Sequence, residues 1–232
     1  MFSEVYYFFP TNFLSDTAPA WRTLGSAKDI HPDPGSDEYL AIQRKWLHDC
    51  LTKHEECHLK AQKQIPTRIV SIGPDNMSLR VVETQGMESP YATLSHCWGA
   101  KQLFTTTTST LHLRKTNLNW DSIPATFQDA IRVTRGLSIR YLWIDSLCII
   151  QDDIADWESE SSKMGAIYQG AQIVIAASAS PDAEVSFLAP RQTPYAKPLE
   201  LQYKCQNGGV SIVKARPLLK EFPSIEPLDT RA

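Results

Sequence analysis

The sequence predicts an α/β domain with a parallel-core sheet flanked by helices, to which β-hairpins and an N-terminal helix are added. Two observations carry that prediction. Short apolar strands alternate with helical patterns between residues 91 and 177, the order that builds a parallel sheet with helices on its faces. Residues 139–144 form an apolar run broken mainly by Arg140, as expected of a strand covered on both sides.

Composition sets the limits. The 232 residues are 42% hydrophobic and 21% charged, an ordinary globular balance with length enough to bury a core. A formal charge of −3 leaves no basic excess to neutralise phosphates, so neither nucleic acid nor an anionic membrane is the expected partner. Five cysteines, Cys50, Cys57, Cys97, Cys148 and Cys205, are an odd number, and three of them sit in apolar or helical patterns that suit free thiols in a reducing compartment. The aromatic N-terminus carries Glu4 where a leader would carry a basic flank. No stretch reaches the roughly 18 uncharged residues of a membrane span. The expected location is cytoplasmic.

In chain order, residues 1–36 hold Pro10, Pro19, Pro32 and Pro34 without a sustained period and read as an irregular arm. Residues 37–66 are a lead-in whose helix is expected to reach about Leu59, because Tyr39, Leu40, Gln43, Trp46, Leu47, Cys50, Leu51, His54 and Cys57 recur at three- and four-residue intervals. Pro66 bars its extension. Residues 67–72 and 78–84 are β-branched around Gly73-Pro74-Asp75-Asn76, which predicts a hairpin. Residues 91–95 predict a strand stopped at Trp98-Gly99. Residues 105–109, a threonine-rich run, read as a surface loop.

Ser122 ahead of Pro124 suits a helix start. Phe127, Ala130, Ile131 and Thr134 then share one face up to Gly136. A second helix is expected over about 153–170, followed by a buried strand over 172–177. Leu199 to Tyr203 and Val210 to Val213, around Asn207-Gly208-Gly209, predict a second hairpin.

Three segments together resemble the heterokaryon incompatibility (HET) domain of filamentous fungi: Tyr91-Ala92-Thr93-Leu94-Ser95-His96-Cys97-Trp98-Gly99, Tyr141-Leu142-Trp143-Ile144-Asp145-Ser146-Leu147-Cys148-Ile149-Ile150-Gln151-Asp152-Asp153, and Asp156-Trp157 with Met164, Ile167-Tyr168 and Ala171. Trp46-Leu47, Cys50, His54, Cys57 and Pro66-Thr67-Arg68 resemble the lead-in before such domains. On this resemblance residues 67–232 are the HET domain. The family continues past the segment resembling Leu228-Asp229-Thr230-Arg231-Ala232 into a tryptophan-containing stretch, so the domain is expected to be incomplete at its C-terminus.

The resemblance implies intracellular self/non-self recognition and programmed cell death in fungi, with other HET or receptor proteins as partners and a possible homo-oligomer. It also implies a TIR/flavodoxin-like fold. Some TIR domains cleave NAD at the nicotinamide bond, which makes NAD a possible substrate and no cofactor a firm expectation. An inactive shortened paralogue is the other reading.

In an open parallel sheet, ligands sit outside the carboxyl ends of the strands. Ser95, His96, Trp98 and Gly99 follow one predicted strand and Asp145 and Ser146 the next, and these are the candidate ligand-binding residues. Cleaving a nicotinamide–ribose bond builds positive charge on the sugar, which a fixed carboxylate stabilises. Glu160 and Asp145 are the candidates.

At about 100° per residue with Trp157 as zero, Met164, Tyr168 and Ala171 fall within roughly 40° of it, defining an apolar face. Glu160 lies about 60° away on their side and Glu158 about 100° away on the other flank. Glu160 is therefore the carboxylate expected to be tucked in, as a catalytic group or as an acid favouring a helix N-terminus. Asp145 either accepts amide bonds in its own turn or faces a ligand.

His96 and Cys97 are neighbours and point to opposite faces of a strand, so they make no nucleophile–base pair. Cys50, His54 and Cys57 at i, i+4 and i+7 fit either zinc with a fourth ligand or a packed helix face. No Walker loop, G-x-G-x-x-G or HExxH occurs.

Overall fold

The computed structural model describes residues 6–10, 31–55, 65–100, 104–190, 199–204 and 208–217. The elements in chain order are β1 (Tyr6–Pro10), α1 (Asp37–Lys53), β2 (Arg68–Ser71), β3 (Arg80–Glu83), β4 (Ala92–Ser95), α2 (Leu111–Thr116) and α3 (Ala125–Gly136). They continue with β5 (Tyr141–Trp143), α4 (Asp145–Cys148), α5 (Ile154–Ser161), α6 (Met164–Gly170), β6 (Ile173–Ala176), β7 (Leu199–Lys204) and β8 (Val210–Pro217). Two compact units result, a larger one holding α1 through β6 and a smaller one holding β1, β7 and β8.

The larger unit holds a mixed five-stranded sheet in the order β3-β2-β5-β4-β6. The expected parallel core is present, since β4 pairs in parallel with both β5 and β6. The hairpin β2–β3 adds two antiparallel strands through the pairing of β2 with β5. Leu142, Trp143 and Ile144 are fully buried, which is the two-sided cover that their apolar run demanded.

Each element shows its physical origin. Ser36 caps α1 by accepting from the Tyr39 amide, and Asp37 and Glu38 follow in the first turn where the helix dipole favours acids. Leu40 is the residue of α1 that buries, and it does so against Gly136 of α3, where an added Cβ would come within 3.0 Å of the Leu40 side chain. Gly73 turns the β2–β3 hairpin with a φ of 36°. The Arg135 guanidinium braces that turn by donating to the carbonyls of Ile72, Gly73 and Asp75 and to Asn76 Oδ1.

Several expectations are corrected. α1 stops at Lys53 and not near Leu59, with His54 in extended conformation donating its amide to the Cys50 carbonyl. Trp46, placed on the apolar face by spacing, is 48% exposed. Ser122 caps no helix: it closes a 3-10 turn over Trp120–Ser122, and Pro124 occupies the N-cap of α3 without a side-chain bond. The threonine-rich run is no simple surface loop, because Thr106 is fully buried, bridges to Ile150 and donates to the Leu147 carbonyl.

The helix expected over 153–170 is two helices, α5 and α6. Ser161 and Ser162 turn their hydroxyls onto the Glu158 and Ser159 carbonyls at the break, the local competition that makes serine a poor helix interior. The strand β6 is an edge, with Val174 45% exposed while Ile175 is buried. One face of it is open.

In the smaller unit β8 is central, antiparallel to β7 and to β1. The second hairpin is therefore present, although Asn207 of its turn lies outside the described residues. Residues 6–10, inside the segment expected to be irregular, form β1. Cys57 and residues 218–232, which include the expected incomplete end, also lie outside the described residues. Among the described residues no helix is long and apolar enough to cross a membrane.

Candidate functional site

Because β4 and β5 run side by side in parallel, their carboxyl ends deliver 95–99 and 145–146 to one edge of the sheet. Asp145 opens α4 and is only 7% exposed. Its Oδ1 accepts the Ser146 amide at 2.7 Å and its Oδ2 accepts the Trp98 indole N–H at 3.1 Å. His96 Nδ1 stands 3.9 Å from Asp145 Oδ1, and the imidazole edge packs on the Phe127 ring at a centroid distance of 4.9 Å. His96, Trp98, Asp145 and Ser146 are thus brought together as expected.

Burial divides this group. His96 and Ser146 are fully enclosed, Cys97 is buried, Trp98 and Ser95 are half-buried and Gly99 is exposed. Ser146 Oγ is buried with no hydrogen-bond partner among the described residues, a costly state for a hydroxyl. Gly99 adopts a φ of 71°, and an added Cβ would lie 2.5 Å from Asp182 Cβ. Glycine is required there by both backbone and space. Ser95 spends its carbonyl on the Ala177 amide, which ties the loop after β6 to the same edge.

Glu160 is held by other groups. It is 2% exposed and accepts from Thr67 Oγ1 at 2.6 Å, from the Thr67 amide at 3.3 Å and from Lys163 Nζ at 2.9 Å. Burial pushes its pKa up, yet the bonds from Thr67 and Lys163 outweigh burial and hold it below the usual glutamate value. Glu158 is exposed, so Glu160 is the tucked carboxylate. The phase that suggested it holds for α6, where Met164, Tyr168 and Ala171 pack half-buried against the core and Ile167 is fully buried, but not for α5, where Trp157, its assumed centre, is 50% exposed. Among the described residues Glu160 and Asp145 share no hydrogen-bond partner.

Spacing missed Arg68. It is 6% exposed, donates to the Cys148 carbonyl at 2.8 Å and forms an ion pair with Asp156, which also accepts the Ile150 amide. Since β2 runs antiparallel to β5, Thr67 and Arg68 stand beside the carboxyl end of β5. A cation opening a β-branched strand was the available signal, because strand interiors bury arginine only when it is paired. Gln151 adds a further tie by donating from Nε2 to the carbonyls of Asp145 and Ile149.

The metal alternative gains no geometry. Cys50 is half-buried on α1, His54 is exposed and off the helix, and Cys57 is outside the described residues. Among the described residues no three His, Cys, Asp or Glu side chains gather as a metal site.

Chemically, the Asp145 edge can orient an imidazole and an indole toward one small region. Among the described residues it presents no carboxylate free of internal donors. The family model described as heterokaryon incompatibility protein (HET) matches residues 91–232, more than half of the chain and beginning at Tyr91 of the first motif. No curated protein and no solved structure matches the chain.

Proposed function

Because the chain belongs to the heterokaryon incompatibility (HET) family, we propose that it serves self/non-self recognition and programmed cell death in fungi, in the cytoplasm. It does so by engaging HET or receptor proteins, its own copies included. The observation supporting assembly over catalysis is the state of the two carboxylates. Asp145 is engaged by Ser146 and Trp98, and Glu160 by Thr67 and Lys163. Carboxylates in such cradles brace strand ends.

The test is expression of the chain and of Asp145→Asn in a fungal host, scored for viability and for folded protein. Killing that survives Asp145→Asn, in protein that remains folded, fits the assembly reading. Killing abolished by Asp145→Asn without loss of folding would overturn it.

A second reading is hydrolysis of NAD at the nicotinamide bond, in which water adds to the ribose carbon and nicotinamide leaves. Its support is the meeting of His96, Trp98, Asp145 and Ser146 at the carboxyl ends of two parallel strands, where open α/β sheets bind ligands. Release of nicotinamide from NAD by purified protein, lost in Asp145→Asn, is the result it requires.

A further inference from the structure

We propose that the outward face of α5, centred on Ile154 and Trp157, docks a cationic, apolar segment of a partner protein. α5 is amphipathic in the reverse of the usual sense. Its one buried side chain is Glu160, while Ile154 is 76% and Trp157 50% exposed. A helix on a globular domain ordinarily turns its apolar stripe to the core.

Here polar bonds fasten the inner face: Asp156 to Arg68 and the Ile150 amide, Glu160 to Thr67 and Lys163. Asp156 and Glu160 are four residues apart and share that side. Ile154, Trp157 and Ser161 stand at i, i+3 and i+7 and share the other. The fastening therefore fixes which face the tryptophan presents.

Charge identifies the partner. No lysine or arginine lies between Arg140 and Lys163, and Lys163 is taken by Glu160. Glu158 is exposed on the same side of the helix as the apolar pair, Asp153 is half-buried at the N-cap, and Asp152 is exposed just before it, accepting from the Thr108 amide and hydroxyl, neutral donors that leave its charge in place. A segment carrying lysine or arginine around an apolar anchor complements this surface. Two-fold pairing with a second copy would set the acidic residues flanking Ile154 and Trp157 in one copy against those of the other, which like charge opposes. Met77 and Leu113 are exposed as well, at 82% and 64%, but scattered single apolar residues need no partner. A tryptophan beside an isoleucine on one rigid helix face is the kind of anchor that carries binding energy.

The inference rests on the reading that the domain acts through partners. Its test uses purified protein, so it succeeds or fails independently of the viability assay. The probe is a fluorescein-labelled amphipathic peptide of lysine and leucine, titrated with the full 232-residue chain and followed by anisotropy at roughly 0.15 M salt. Saturable binding is expected, weakened about tenfold by Trp157→Ala, several-fold by Glu158→Lys, and unaltered by Leu113→Ala. If Trp157→Ala lowers the melting temperature, Ile154→Ser carries the same test from a more exposed position.

Equal affinity for a glutamate–leucine peptide of the same pattern overturns the proposal, as does binding indifferent to Trp157. A solution mass that falls to the monomer on Trp157→Ala would name a second copy as the occupant. Trp157 shielded from acrylamide in the free monomer would name another segment of this chain. Either result also overturns it.

Discussion

Asp145 and Glu160 are both enclosed, and a carboxylate is tolerated there only where donors replace water. For Glu160 those donors are Thr67 and Lys163. Replacing it with alanine removes these bonds while leaving Thr67 and Lys163 within reach of water, and a loss of about 1 kcal/mol in a urea melt at neutral pH is expected. Its pKa lies below the ordinary value, so the stabilisation is full above about pH 4.3 and fades as pH falls through the folded-state pKa. A stability gap between wild type and Glu160→Gln that stays constant from pH 7 to pH 3 would contradict this.

Gly99→Ala meets two penalties, the φ of 71° and the Asp182 Cβ, and is expected to cost about 1–3 kcal/mol. Combining it with Asp182→Gly, which removes the clash alone, should recover part of that loss. Burial pushes the Cys148 thiol up to about 12, so iodoacetamide at pH 8 is expected to label it only after denaturation. Residue types at the ends of β4 and β5 were legible from the motif, because apolar strands ending in polar residues mark the edge. Which donor each carboxylate would take was not legible: Thr67 and Glu160 are far apart in sequence, and no local pattern links them.

At the scale of elements, the sequence pattern located β4, β5 and α3 because their burial is two-sided or cleanly striped, whereas β1 lay in a segment that carried no period. The pattern failed on α5, where a helix fastened by polar bonds carries its apolar residues outward, and on its break from α6, where the serines at 161 and 162 end the run. The Arg68–Asp156 pair is what substitutes for an apolar stripe under α5. Arg68→Leu leaves Asp156 without its cation and the Cys148 carbonyl without a donor, for an expected loss of about 3 kcal/mol. Asp156→Asn in the same chain should restore part of it, because no uncompensated charge then remains. Hydrogen exchange read along the backbone should show α5 losing protection first in Arg68→Leu, ahead of β5. Uniform loss across the sheet would mean that the pair serves the whole core instead of this one helix.

Over the whole molecule, the hydrophobic cluster runs from Leu40 to Leu188 and lies entirely in the larger unit. The family match, by contrast, begins at Tyr91 and runs on through the β7–β8 hairpin to residue 232. The two boundaries make opposite demands on a shortened chain. A piece cut at residue 91 loses β2, which lies directly beside β5 in the middle of the sheet. With it go the Thr67 donors of Glu160 and the Arg68 partner of Asp156. The fully buried Ile69 and Val70 leave too, and β5 is left with an open, apolar edge prone to associate. A piece spanning 35–188 keeps every strand of the five-stranded sheet and the complete cluster. The expected outcome is that 35–188 is soluble and melts cooperatively, whereas 91–232 aggregates or shows no thermal transition. Circular dichroism melts of the two pieces at equal concentration decide it. A cooperative transition in 91–232 would mean that the hairpin β2–β3 is an accessory to the sheet, and that the carboxyl ends of β4 and β5 hold their geometry without the Thr67–Arg68 brace.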